Sequence, residues 1–99
     1  MTDEAKYRVV RAANFKRGYK LAKKQGRDLS MLAFAIDQLA RDIPLPANWR
    51  DHQLKGDMKR FRECHIGGSS DWLLVYEKRA TEMILYLLGT GTHTDLLGY

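Results

Sequence analysis

Hydrophobic and polar positions along this chain change period twice, and each change predicts a new kind of element. The opening YRVVRA is short and rich in Tyr and Val, which predicts a strand from Tyr7 to about Ala12. In ANFKRGYKLAKKQG the spacing becomes helical. Phe15, Tyr19 and Ala22 share a face, while Lys16, Lys20, Lys23 and Lys24 fill much of the remainder. Gly26 suits the helix stop, and Gly18 lies inside the helix, where glycine normally costs stability. A second helix follows in DLSMLAFAIDQLARDI, with a stripe of Leu29, Leu32, Ile36, Leu39 and Ile43. Asp28 or Ser30 can cap it, and Pro44 and Pro46 stop it. The short link between the two helices predicts an antiparallel hairpin with its bulk on one sheet face.

PLPANWRDHQLKGDMK reads as an irregular connector. Three strand patterns follow. RFRECHI alternates and ends at the turn signal GGSS; DWLLVYEK and EMILYLLG are mostly apolar, as strands covered on both faces are. The charged EKRATE between the last two predicts a hairpin turn. The expected fold is a single α+β domain over residues 1–99. An N-terminal strand precedes the helical hairpin, and a three-strand antiparallel meander completes the β-α-α-β-β-β order.

Composition narrows the function. At 99 residues there is room for one core, and 44% hydrophobic with 29% charged residues argues against a disordered chain. A net charge of +5 on so small a surface favours an anionic partner, nucleic acid before an acidic protein. A solvated basic face is the plainer alternative. Cys64 is the single cysteine, which excludes an internal disulfide. MTDEAKYRVV lacks the pattern of a secretory signal, and no apolar run approaches the roughly 20 residues of a membrane helix. The expected setting is reducing and cytoplasmic, with no membrane partner.

Candidate chemistry gathers at the ends of the predicted elements. His52 sits in the connector, His65 ends a strand before GGSS, and His93 follows the last strand in LGTGTHTDLLGY. Asp71 opens the strand after GGSS, so a tight hairpin would hold it close to His65. Ligand types for a metal are present, but no C-x-x-C or H-x-x-x-H spacing accompanies them, and Cys64 and His65 alternate to opposite faces. Cys64 reads as a small buried hydrophobe. Imidazoles at a basic surface suit RNA cleavage without a metal. A base takes the ribose 2′-hydroxyl proton, the oxygen attacks the adjacent phosphate, and an acid protonates the departing 5′-oxygen. Cations stabilise charge on the phosphate oxygens. Lys55, Lys59, Arg60 and Arg62 are the candidates for RNA backbone contacts, and Trp or Tyr faces can stack an unpaired base. Trp49 reads as packing. The lysines of the first helix, with Arg17, divide evenly between a solvated face and a contact to ribosomal RNA.

WRDHQLKG, FRECHIGGSSDWLLVY and TGTHTDLLG together resemble the YafQ branch of the RelE/ParE toxin superfamily. These are small toxins of type II toxin–antitoxin systems. The resemblance implies a RelE-like fold and an mRNA interferase, an endoribonuclease that inhibits translation by cutting messenger RNA in the ribosomal A site. It implies no metal or other cofactor. It also implies a cognate antitoxin covering the basic surface, and operator DNA bound only through the toxin–antitoxin complex. The family's functional positions fall on His52, His65, Asp71 with Trp72, and His93. The implied roles are proton transfer for His65, Asp71 and His93, with His93 the first choice of acid; His52 orients RNA or shares the proton work, and Trp72 supports the site or a base. One departure stands out: the family usually carries an arginine before T-G-T-H, where this chain has Gly89. Loss of that phosphate-holding cation implies a weakened enzyme unless Lys59, Arg60 or Arg62 substitutes. A non-catalytic module that binds antitoxin or ribosome is the alternative. The gyrase-poisoning branch of the superfamily, which does not rely on these histidines, is a third. Near the end, Leu97 replaces a usual aromatic, with Tyr99 two residues on.

Overall fold

The computed structural model describes residues 5–97; Tyr99 and the side chain of Leu97 lie outside what is described. Strand β1 (Arg8–Arg11) leads into helix α1 (Ala13–Lys24) and helix α2 (Leu29–Ala40). A connector then carries the two-residue strand β2 (His52–Gln53). Strands β3 (Arg62–His65), β4 (Leu73–Arg79) and β5 (Ile84–Gly91) follow, and a short helix α3 (His93–Leu97) ends the described chain. The sheet order is β1-β5-β4-β3-β2. β1 runs parallel to β5, and every other pairing is antiparallel. The α+β architecture, the helical hairpin and the meander match the sequence expectation. β2 and α3 are additions to it. Among the described residues no helix is long and apolar enough to cross a membrane.

The core lies between the hairpin and one sheet face. Phe15 and Ala22 from α1, Leu32, Ala35 and Leu39 from α2, and Cys64, Leu74, Tyr76, Leu85 and Leu87 from the sheet are buried together. Asp28, rather than Ser30, caps α2: its carboxylate accepts from the Ser30 amide at 3.0 Å. Tyr19 differs from expectation. It is exposed at the helix flank and lies 6.3 Å from the Phe15 ring, centroid to centroid. Gly18 has a packing reason. A Cβ there would stand 2.1 Å from the Thr90 carbonyl oxygen of β5, so α1 lies against β5 closer than any side chain allows. β5 carries a bulge opposite Val75/Tyr76. Such an extra residue bends a strand and re-aims its end, and here that end brings Gly91 and His93 to the edge where β3 ends at His65.

Candidate functional site

Strand alternation sets the floor of the site. Glu63 and His65 are two residues apart on β3, so their side chains share a face, while Cys64 between them enters the core. β2 pairs His52 opposite Glu63. Across the sheet, His65 pairs with Leu73 and Leu73 with Gly91, two residues before His93. His93 opens α3, whose start is fixed by a reciprocal cap. The Thr92 amide donates to Asp95 Oδ2 at 3.2 Å and the Asp95 amide to Thr92 Oγ1 at 3.1 Å.

All three imidazoles converge on one carboxylate oxygen. Glu63 Oε1 lies 3.4 Å from His52 Nε2, 3.5 Å from His65 Nε2 and 3.5 Å from His93 Nε2. Ring centroids of His65 stand 6.2 Å from His52 and 6.1 Å from His93. Glu63 is 3% exposed and its Oε2 has no hydrogen-bond partner among the described residues. An unpaired carboxylate oxygen at such depth is expensive, so this buried charge depends on the imidazoles around it.

Exposure separates the three histidines. The His65 side chain is 8% exposed, whereas His93 is 36% and His52 50% exposed. His52 and His93 are therefore open to solvent, and His65 lies between and beneath them. Hydrogen bonds fix some of the proton positions. His52 Nδ1 is 2.7 Å from the Arg50 carbonyl, which only accepts, so Nδ1 carries a proton and the lone pair of the neutral ring is on Nε2. His65 Nδ1 faces two partners of opposite demand, the Ser69 carbonyl and the Arg50 guanidinium, each at 3.0 Å.

The loop bearing Arg50 and His52 is anchored from below. Buried Tyr76 donates its hydroxyl to Asp51 Oδ1 at 2.6 Å, and Arg62 Nε donates to the same oxygen at 3.2 Å. Arg50 itself adopts a left-handed backbone, φ 49° and ψ 50°.

The expected closeness of Asp71 to His65 is corrected. Asp71 does not join the imidazoles: among the described residues its side chain accepts from Ser69 Oγ and pairs with Arg27 Nη1 at 3.8 Å. Ser69 and Arg27 also hold its carboxyl below the usual carboxylate range. Two glycines with positive φ, Gly67 and Gly68, turn the chain between His65 and Asp71, so closeness in sequence does not become contact. Asp71 instead fastens the Ser69 turn whose carbonyl meets His65. Of the two roles expected of Trp72, its burial fits support of the site: it donates Nε1–H to Thr90 Oγ1 at 3.0 Å and lies beneath the Arg27 guanidinium. Thr90 in turn donates to the Leu73 carbonyl at 2.7 Å, tying β5 to β4 under the site. Trp49 is buried edge-on against Phe34, 5.4 Å between centroids. Of the cations named from sequence, Lys55 and Lys59 are exposed. Arg62 is held by Asp51, and Arg60 lies 4.0 Å from Glu77 and over the Phe61 ring. Sequence reasoning missed Glu63, Arg50 and Asp51. Alternation along R-E-C-H was the available signal for Glu63.

His52, Glu63 and His65 each offer one donor atom, all within 4.8 Å of one another, and so could hold one metal ion. Two imidazoles and a carboxylate suit a first-row transition metal. Burial pushes the Cys64 thiol up to about 12, which removes it from both ligand and nucleophile roles.

A chain with these elements in this order has relatives. Residues 7–98 match the family described as the bacterial toxin of type II toxin–antitoxin systems, YafQ. The chain belongs to the YafQ family. An mRNA interferase toxin YafQ of Escherichia coli K12 is 34% identical over 88 residues, covering 88% of this chain and 91% of that protein. The E. coli DinJ–YafQ toxin–antitoxin complex superposes with a TM-score of 0.81 at 32% identity, over 94% of this chain and 99% of that one. A metal-bound toxin from Helicobacter pylori superposes with a TM-score of 0.84 at 36% identity, over 92% and 99%. This member of the YafQ family is thus a toxin of a type II system, and its curated relatives carry the name of mRNA interferases.

Proposed function

We propose that the protein is a ribosome-dependent endoribonuclease, held by a cognate antitoxin, that cuts messenger RNA by proton transfer without a resident metal. The observation that carries this reading is the convergence of three imidazole nitrogens on the single buried oxygen Glu63 Oε1. His52 Nε2 takes the proton of the ribose 2′-hydroxyl. The freed oxygen bonds to the adjacent phosphorus, the bond from phosphorus to the 5′-oxygen breaks, and His93 supplies the proton to that leaving oxygen. The products are a 2′,3′-cyclic phosphate and a 5′-hydroxyl. Glu63 faces the positive charge as it moves from His93 to His52, and His65 bridges them. Proton work thus falls on the two open imidazoles, and His65 and Asp71 serve as positioning groups. A cytoplasmic setting and an antitoxin partner follow from the same reading.

Expression in a bacterial host should arrest growth and produce codon-phased cuts in ribosome-bound messenger RNA. His93→Ala and His52→Ala should each relieve both effects. Toxicity untouched by either substitution would overturn the assignment. A second reading rests on Gly89: a YafQ-family module that binds antitoxin and ribosome without cutting. Absence of cyclic-phosphate ends in RNA from arrested cells would favour it. A third possibility concerns the site alone: an ion held by His52, Glu63 and His65 would occupy the lone pairs that move protons and so inhibit.

A further inference from the structure

Arg50 was not among the residues suggested by sequence, and no family position assigned above falls on it. We propose that Arg50 is the phosphate-binding cation of this site, working from the connector in place of the missing arginine at position 89. The inference rests on the nuclease reading above and deepens it.

Availability distinguishes Arg50 from the neighbouring arginines. Arg62 is held by Asp51, Arg60 approaches Glu77, and Arg27 pairs with Asp71. Arg50 is exposed and has no carboxylate partner among the described residues. Its guanidinium rests 3.0 Å from His65 Nδ1, a neutral nitrogen acceptor that a phosphate oxygen outcompetes for a charged donor. Its position is also fixed at the chemistry. Its own carbonyl holds His52 Nδ1, and the next residue, Asp51, is anchored by Tyr76 and Arg62. The left-handed backbone at Arg50 is a strained conformation for an arginine, and such strain persists where the surroundings impose it.

The swing from His65 to phosphate frees His65 Nδ1 for its second partner. While Arg50 donates to His65 Nδ1, that nitrogen is unprotonated, and it cannot also donate to the Ser69 carbonyl at 3.0 Å. Once the guanidinium turns outward, a proton on Nδ1 can serve the Ser69 carbonyl. Phosphate binding thereby changes the hydrogen bond that His65 Nδ1 makes.

The test uses the full chain and a short single-stranded RNA made uncleavable by a 2′-deoxy substitution at the cut position. Asn tolerates a left-handed backbone, so Arg50→Asn should keep the fold, checked by melting temperature. Arg50→Lys is the second variant. Arg50→Asn should weaken RNA binding at least tenfold and reduce the salt slope by about 0.7, the value of one lost phosphate contact on a single strand. Arg50→Lys should recover part of the affinity, and Arg79→Ala, at the far end of β4, should change nothing. Imidazole nitrogen NMR should show His65 Nδ1 protonated in wild type with RNA and in free Arg50→Asn, but not in free wild type. Arg50→Asn binding RNA as wild type does would overturn the clamp, even if wild type cuts messenger RNA. Lost binding in Arg50→Asn alongside a wild type that never cuts would overturn the nuclease reading and leave the clamp standing.

Discussion

Glu63 Oε1 and His93 Nε2, thirty positions apart in sequence, stand 3.5 Å apart across the strand end that separates them. The contact joins β3 to the start of α3, with β4 lying between β3 and β5 in the sheet. A carboxylate this deep, with one oxygen unpartnered, is poor design for stability and good design for holding positive charge on imidazoles.

Glu63→Gln should therefore separate activity from folding. The amide matches the carboxylate in shape but carries no charge to balance an imidazolium. Cleavage of ribosome-bound messenger RNA should fall by about 100-fold or more, the scale of one lost acid–base element. The melting temperature should hold or rise, because a desolvated charge has been removed. A fall in melting temperature with cleavage intact would show Glu63 to be structural.

Metal chemistry makes an opposite prediction at the same atoms. If protons alone do the work, protein stripped with a chelator and assayed without added zinc should cut at the full rate. One equivalent of Zn²⁺ should then slow it by occupying His52, Glu63 and His65. His52→Ala should weaken zinc binding measured by calorimetry. Loss of cleavage on chelation, restored by zinc, would instead make the ion part of the enzyme.

Gly18 contradicts the usual rule for helices. In an exposed helix, Gly→Ala gains up to about 1 kcal/mol. Here a methyl would stand 2.1 Å from the Thr90 carbonyl, a backbone atom of a central strand. Gly18→Ala should destabilise by about 3 kcal/mol, the upper range for overpacking. Thr90 also receives the Trp72 indole N–H, so the displaced strand should carry a cleavage defect with it. Denaturant unfolding of the variant reads the first effect directly.

The Gly18 case shows what local pattern cannot carry. The stripe of α2 and the apolar runs of β4 and β5 were legible because each element buries its own periodic face. β2 was not, since two residues have no period and exist as a strand only because β3 offers His52 a partner opposite Glu63. α3 was hidden by its glycine-rich approach, although Thr92 and Asp95 spell a reciprocal cap. The three histidines that meet at Glu63 were recognisable as candidates by residue type. The carboxylate that meets them was not: Asp71 is near His65 in sequence, but two left-handed glycines direct it elsewhere. Arg50 was invisible because its role depends on a backbone conformation that sequence does not display.

Cys64 supplies a pH test of the core. Its thiol is raised by burial to about 12. At pH 8 the native protein should not react with a disulfide reagent, and the denatured protein should react at once. Between about pH 8.5, the ordinary thiol value, and 12 the unfolded chain loses this proton while the folded chain keeps it. Stability should fall as pH rises across that window, by at most about 1.4 kcal/mol per unit from this group. Cys64→Ala should flatten the slope.

Gly89 is open to reversal, but not by a single substitution. A Cβ there would stand 2.6 Å from Asn14 Nδ2 and 2.7 Å from Leu96 Cδ2. Both are ends of side chains, so the fold can yield, but Leu96 belongs to α3, which carries His93. Gly89→Arg alone should lower the melting temperature by several degrees, through about 1–2 kcal/mol of overpacking, and displace the acid it was meant to assist. Gly89→Arg with Leu96→Ala should recover the melting temperature and raise the cleavage rate by about tenfold, since a second cation stabilises charge on the phosphate. If the double variant is stable and gains cleavage where wild type has none, the non-cutting module is the right account of the natural chain. If wild type already cuts and the gain is modest, a cation elsewhere at the site has been supplying the contact.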